Sequence, residues 1–249
     1  MSTRPKSRLP TRDATDRFGV HRGHRNVQGG AIRAAIFGIS DGLVTNVSLI
    51  LGVAGAAADP GVIRLAGLAG MAAGAFSMAA GEYVSMAAQK ELLERELDVE
   101  RRSLATRPSF ERRELAAIYE KRGVSPAAAE ELSAEMMRDP EVALETHARE
   151  ELGVNPRQLG SPIGAAVSSF FAFAMGAVIP LVPWFFVGGT SAIIISVSLG
   201  ALTALAIGAA IGISTGRGPL RSAVRQLLLG AAAGGVTYAI GAVLGVRLN

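Results

Sequence analysis

Two carboxylates stand where the chain is otherwise apolar. Asp41 lies within "AIFGISDGLVTNVSLILGV" and Glu82 within "GMAAGAFSMAAGEYVSMAA". A charged side chain at membrane depth costs at least ~2.5–3.5 kcal/mol, so such an acid marks an ion or proton path unless it only fixes helix register at an interface. Helical spacing gives each acid its own company. Asp41, Thr45 and Ser48 share one helix face, an acid beside two hydroxyls, while Met71, Ala75, Met78, Glu82 and Met86 share a face of the next helix. Oxygen and thioether donors together suit a borderline divalent transition metal, whereas calcium and magnesium take oxygen alone. A methionine stripe is also an ordinary way to fill a helix contact, and that reading stands beside the first.

Most of the remaining acids are gathered in one stretch. Residues 89–160 carry sixteen of the 21 Asp and Glu against twelve Lys and Arg. Glu91, Glu94, Glu100, Glu111, Glu114, Glu135, Met136, Met137, Glu150 and Glu151 are its candidate ligands. Glu111 and Glu114, three apart, lie one above the other on a helix and can chelate together. The plain alternative is a solvated helix surface, which Glu and Arg usually make. His147, the one histidine of this stretch, reads as an ordinary polar residue.

The elements that must position these groups are membrane helices. Hydrophobic residues make up 49% of the 249, mean hydropathy is +0.34, and no charged residue occurs between Arg157 and Arg217. A span takes about 20 apolar residues, so that interval alone holds two. Five spans are predicted, over about 31–57, 63–88, 161 to the "IPLVPWFF" stretch at 179–186, 189–213 and 222–246. The chain thus divides into a disordered basic arm (1–30), the first two spans (31–88), a helical insert (89–160) and the last three spans (161–249). In the insert, Pro108, Ser125-Pro126 and Asp139-Pro140 mark helix starts, with Gly123 and Gly153 as stops. Trp184, Phe185 and Phe186 are expected in an interfacial aromatic belt.

The basic arm, the insert and the Arg217/Arg221/Arg225 turn fall on one side of a five-span chain. The positive-inside rule makes that side cytoplasmic and puts the C-terminus opposite. The pI near 9.9 does not point to nucleic acid, because the insert has a net charge of −4 and the excess base lies in the arm and at helix ends. With no cysteine, disulfides, thiolate metal sites and thiol catalysis are excluded. The arm shows no signal-peptide core, and the Arg bias in an Ala/Gly-rich chain points to a bacterial inner membrane. Glycines four apart (38/42, 70/74, 208/212, 230/234, 241/245) fit close helix packing, generic or in a dimer. For Gly38 and Gly42, flanking Asp41, the expectation is that two first spans meet near a dimer axis with both acids facing a shared cavity.

The segments "SDGLVTNVSLILGVAGA", "AGAFSMAAGEYVSMAAQKE" and "HAREELGV" together resemble the vacuolar iron transporter family, in order and spacing, from about residue 24 to the C-terminus. The resemblance implies an all-α integral membrane homodimer with five transmembrane helices and a cytoplasmic helical metal-binding domain between the second and third. It further implies proton-coupled export of ferrous iron from the cytosol, with manganese or zinc as other cargo and no prosthetic group. Asp41 and Met78 match the family's path residues, Glu82 its GE[FY]VS glutamate, and Glu100, Glu111, Glu114 and Glu151 its metal-binding glutamates. Met136 and Met137 match more loosely. One family glutamate falls on Ser103, and an earlier acid of the second span has only Gly70 or Met71 nearby.

Transport is therefore the leading expectation, and not an enzyme. The partners it calls for are lipid, divalent transition metal ions, protons and a second copy, with no nucleic acid. The rivals are a membrane-anchored metal-binding protein and a di-iron carboxylate oxidase in the insert. A di-iron bundle calls for two Glu-x-x-His pairs, and no Glu of the insert has His three residues later.

Overall fold

The computed structural model describes residues 30–56, 59–156 and 160–248; the basic arm expected over 1–30 lies outside them but for Gly30. Among the described residues eight α-helices follow one another: α1 (Gly30–Gly55), α2 (Pro60–Thr106), α3 (Pro108–Lys121), α4 (Pro126–Met136), α5 (Pro140–Glu150), α6 (Pro162–Leu181), α7 (Gly189–Ser214) and α8 (Pro219–Leu248), with a 3-10 turn at Val182–Phe185 after α6. No strand occurs among the described residues. Five of the helices, α1, α2, α6, α7 and α8, are long and apolar enough to cross a membrane. The fold is an all-α membrane protein.

Helix starts follow the local chemistry of Pro behind a capping side chain, which satisfies amide donors that the first turn leaves open. Asp59 Oδ1 accepts from the Gly61 amide at 2.6 Å ahead of α2, and Ser161 Oγ from the Gly164 amide at 3.1 Å ahead of α6. Asp139 Oδ1 accepts from the Glu141 amide at 2.8 Å ahead of α5. Asp59 is thereby accounted for as a cap. Ser125 precedes α4 without a side-chain capping bond.

α2 is unbroken for 47 residues, about 70 Å at 1.5 Å per residue. That is more than twice the hydrocarbon thickness of a bilayer, so its second half stands clear of it. Pro108 ends it, and α3 to α5 fold back on the projecting part. Leu97 packs with Leu144 and Ala148 of α5, joined by Leu93, Leu104 and Val154. Arg112 and Glu130 (2.9 Å) tie α3 to α4, and Arg122 pairs with Glu150 to tie α3 to α5.

Within the spans α1 is the central helix, packed on α6, α8 and α2. The close approaches are made through glycine. A Cβ at Gly42 would overlap the Phe173 carbonyl of α6, and one at Gly176 would lie 2.8 Å from the Leu43 amide of α1. Gly70 and Gly74 receive Leu49 and Phe173, Gly208 and Gly212 receive the start of α8, and Gly234, Gly241 and Gly245 receive α1. Gly38 and Gly42 therefore do not hold two first spans together, as the sequence suggested; they are occupied by α6 of the same chain. In a bilayer, helices gain from van der Waals contact between backbones rather than from the hydrophobic effect, and small residues are used where that contact is closest.

A second correction concerns Trp184. Instead of facing the interface it is 2% exposed, packed with Ile50, Ile63, Leu181 and Ala192. Pro180 and Pro183 turn the chain so that Trp184 points inward, leaving Phe185 and Phe186 outside. Ser196 Oγ donates to the Pro180 carbonyl at 2.7 Å, supplying a donor where Pro183, three residues on, has no N–H.

Candidate functional site

Two groups of chemically capable side chains emerge, one in the projecting bundle and one where α1 and α2 leave the membrane. In the bundle, Glu100 of α2, Glu111 of α3, and His147 and Glu151 at the end of α5 bring one ligand atom each to within 4.8 Å of one another. Glu111 is 4% exposed and His147 fully buried. His147 Nδ1 lies 2.9 Å from the Ala143 carbonyl of its own helix and Nε2 lies 3.4 Å from the Glu111 carbonyl and 3.9 Å from a Glu151 oxygen.

Glu100 Oε1 is buried with no hydrogen-bond partner. A carboxylate oxygen sealed from water and given no donor is costly, and a cation bound among these four residues would satisfy it. The electrostatics agree. Burial, and then the charge of Glu100, pushes the Glu151 carboxyl up to about 7; Glu114 and Glu111 add to the rise and His147 opposes it. Burial likewise raises Glu100, with His147 lowering it and Glu111 and Glu114 raising it. Packing acids so that they resist ionising together is the preparation a cation site requires.

Of the other candidates in the insert, Glu114 is near enough to act on Glu100 and Glu151 electrostatically but is outside the 4.8 Å group. Glu150 is taken by Arg122. Met136 receives the Thr146 hydroxyl at 4.0 Å, and Met137 caps α4. His147 is the member that sequence reasoning set aside. The missed signal was its position four residues before Glu151, which puts both on one face of α5.

At the membrane, Asp41 has Thr45 one turn along on the same face of α1. Thr45 itself is exposed, beside an open groove lined by Val44, Ser48 and Leu49 of α1 and Ala232, Ala233, Val236 and Thr237 of α8. Glu82 is paired with Arg33 of α1, Nη2 to Oε2 at 3.1 Å. Met78 is half-buried and packs with Met71 around Ala75, Phe173 and Ala177, while Met86 is in the core with Ala34 and Ala165. Asp41 does not touch Glu82. On helix rise, Met78 lies about 6 Å deeper than Glu82, and Asp41 about 12 Å deeper than Arg33, which marks the same level as Glu82.

Residues 32–242 match the model of the VIT family. The chain is 34% identical over 230 residues to the vacuolar iron transporter of Acanthamoeba castellanii, covering 88% of this chain and 81% of that protein. It is 29% identical to vacuolar iron transporter 1 of Oryza sativa subsp. japonica, over 93% of this chain and 94% of that one. The vacuolar iron transporter of Centaurea cyanus is 32% identical, over 88% and 89%. With its five spans, its long second helix and its matching residues over most of its length, the chain belongs to the VIT family.

Proposed function

We propose that the protein exports ferrous iron from the cytosol in exchange for protons, with manganese or zinc as further cargo, and that it works as a homodimer in the cell membrane. The observation that carries the reading is the bundle cluster: a buried, donor-less Glu100 oxygen among Glu111, His147 and Glu151, on the projecting end of a helix continuous with a membrane span. The names of its relatives support iron as the cargo. The charge pattern supports a cytoplasmic arm and insert, with the C-terminus on the far side.

In this mechanism the acidic bundle concentrates divalent ions and binds one among Glu100, Glu111, His147 and Glu151, with Glu114 close by. The ion next reaches Glu82 at the mouth, then Met78, then Asp41. Metal and proton compete for the same oxygens, since a ligand must be deprotonated to bind, and that competition is a sufficient basis for antiport. The exposed Thr45 beside Asp41 supports a second copy seated there, closing the path between two first spans. Because the chain has no cysteine, Thr45→Cys is expected to crosslink between copies in folded, active protein; an entire α1 cysteine series without crosslinks would remove the shared path.

The test of the reading is ferrous iron flux in proteoliposomes with and without a pH gradient. Gradient-driven accumulation is expected; binding without flux would leave an anchored metal-binding protein, and iron oxidation without flux an oxidase. Glu111→Gln with Glu151→Gln should raise the iron concentration needed for half-maximal flux about tenfold or more, yet keep most of the flux at saturating iron, because the bundle captures rather than conducts.

The bundle should also report pH. Glu151 is raised from its ordinary 4.5 to about 7. Its contribution to stability is therefore present below 4.5 and lost as pH rises through 7 in the metal-free protein. Metal binding must expel that proton. Affinity measured by calorimetry is expected to rise by up to about tenfold per pH unit toward pH 7 and level off above it. Metal should accordingly raise the melting temperature more at pH 8 than at pH 6. A flat affinity across that range would place Glu151 outside the site.

A further inference from the structure

α1 carries two charged residues, Asp41 and Arg33. Arg33 reaches across to Glu82, 49 residues away, and the pair is lopsided: the Arg33 side chain is 63% exposed, that of Glu82 only 14%. The acid is held among the helices, while the base hangs on a long side chain in the open. The bond is a single N–H to one oxygen, not the two-pronged fork that makes Arg–carboxylate pairs strong.

We propose that Arg33 is a tethered cation that occupies Glu82 in the absence of metal and yields the carboxylate to an incoming divalent ion, so that it sets the metal concentration at which the membrane path fills. The inference rests on reading Glu82 as part of that path. Three features carry it. A guanidinium is charged at every relevant pH, so the half-buried carboxylate is never left bare when no metal is present. With one partner exposed, the pair is weak enough to open. And the exchange favours a divalent ion: a monovalent cation brings no more charge than the guanidinium and lacks the advantage of being tethered, whereas a metal with two charges gains more from the same oxygens. Arg33 thus acts as a positioning and selecting residue through Glu82.

The experiment uses the full chain in proteoliposomes and reads ferrous iron flux against iron concentration under a fixed pH gradient. Arg33→Gln is expected to reach half-maximal flux at about two- to fivefold lower iron than wild type, the range that a half-exposed ion pair represents, with its maximal flux kept. Arg33→Lys should return close to wild type. In the Glu82→Gln background, Arg33→Gln should have no effect on iron bound.

Folding is controlled within one sample by Arg33→Cys, since the chain has no other cysteine. After reconstitution, a cationic aminoethyl thiosulfonate reagent should raise the half-saturating concentration again and a neutral methyl reagent should not. If cationic and neutral reagents act alike, or if Arg33→Gln leaves half-saturation unchanged while Glu82→Gln abolishes flux, the tether is wrong and the path reading survives. If Glu82→Gln transports like wild type, the path reading of Glu82 fails and this inference with it.

Discussion

Glu82→Gln and Asp41→Asn are each expected to insert and fold normally, yet to lose at least about tenfold of proton-driven ferrous iron flux. A contact to a charged group shielded from water is worth about 1.5–3 kcal/mol, and the amide removes both that charge and the exchangeable proton while keeping shape. Glu82 is 14% exposed and Asp41 is partly buried, so neither acid is freely solvated and neither loss can be made good by bulk water. Met78→Leu should be milder, because a thioether tunes preference among soft metals and supplies no charge. The measurement is flux for all four proteins in matched vesicles. Wild-type flux from Glu82→Gln would make that carboxylate a packing residue paired to Arg33, and the mouth of the path would have to be sought elsewhere.

The second large effect is structural. Gly241→Ala should deplete folded protein severely, because the added Cβ would overlap the Gly52 carbonyl oxygen and lie 2.8 Å from its carbon, backbone atoms of α1 that cannot swing away. The cost falls at or above the upper end of the about 1–3 kcal/mol that overpacking incurs. Gly235→Ala on the same helix is the control: nothing lies within 4 Å of its added Cβ, and alanine is the better helix former. Melting temperature and the monodisperse fraction in detergent should drop for Gly241→Ala and hold or rise for Gly235→Ala. Equal behaviour would mean that α8 does not pack on α1 through this glycine. Because Gly241 is remote in sequence from Asp41 and Glu82, the loss would be one of folding and not of ligands.

Much of the fold was legible from local pattern. Apolar length marks a span whatever its neighbours, because the bilayer demands about 20 such residues regardless of packing. Asp59, Asp139 and Ser161 cap their helices by bonding amides two or three residues away, and each stands before a proline, so these starts are written in adjacent residues. The two carboxylates of the spans stand out for the same local reason: the membrane makes any charge conspicuous. The basic arm is equally visible as composition, though it lies outside the described residues.

What the sequence determined by itself, then, is which residues share a face of one helix: Asp41 with Thr45, Met78 with Glu82, His147 with Glu151. Which faces meet was decided only in three dimensions. Glu100, Glu111, His147 and Glu151 come from three helices, and they converge because Pro108 ends α2 and lets α3 and α5 fold back on it. The same packing draws Glu150 to Arg122, a choice invisible in a run of acids and thioethers. Helical periodicity fixes angles around a single axis and says nothing of the neighbouring axis. The pairing of Arg33 with Glu82, the seat of Trp184 and the turning of Gly38 and Gly42 toward α6 all follow from how closely backbones can approach, which is a property of two helices at once.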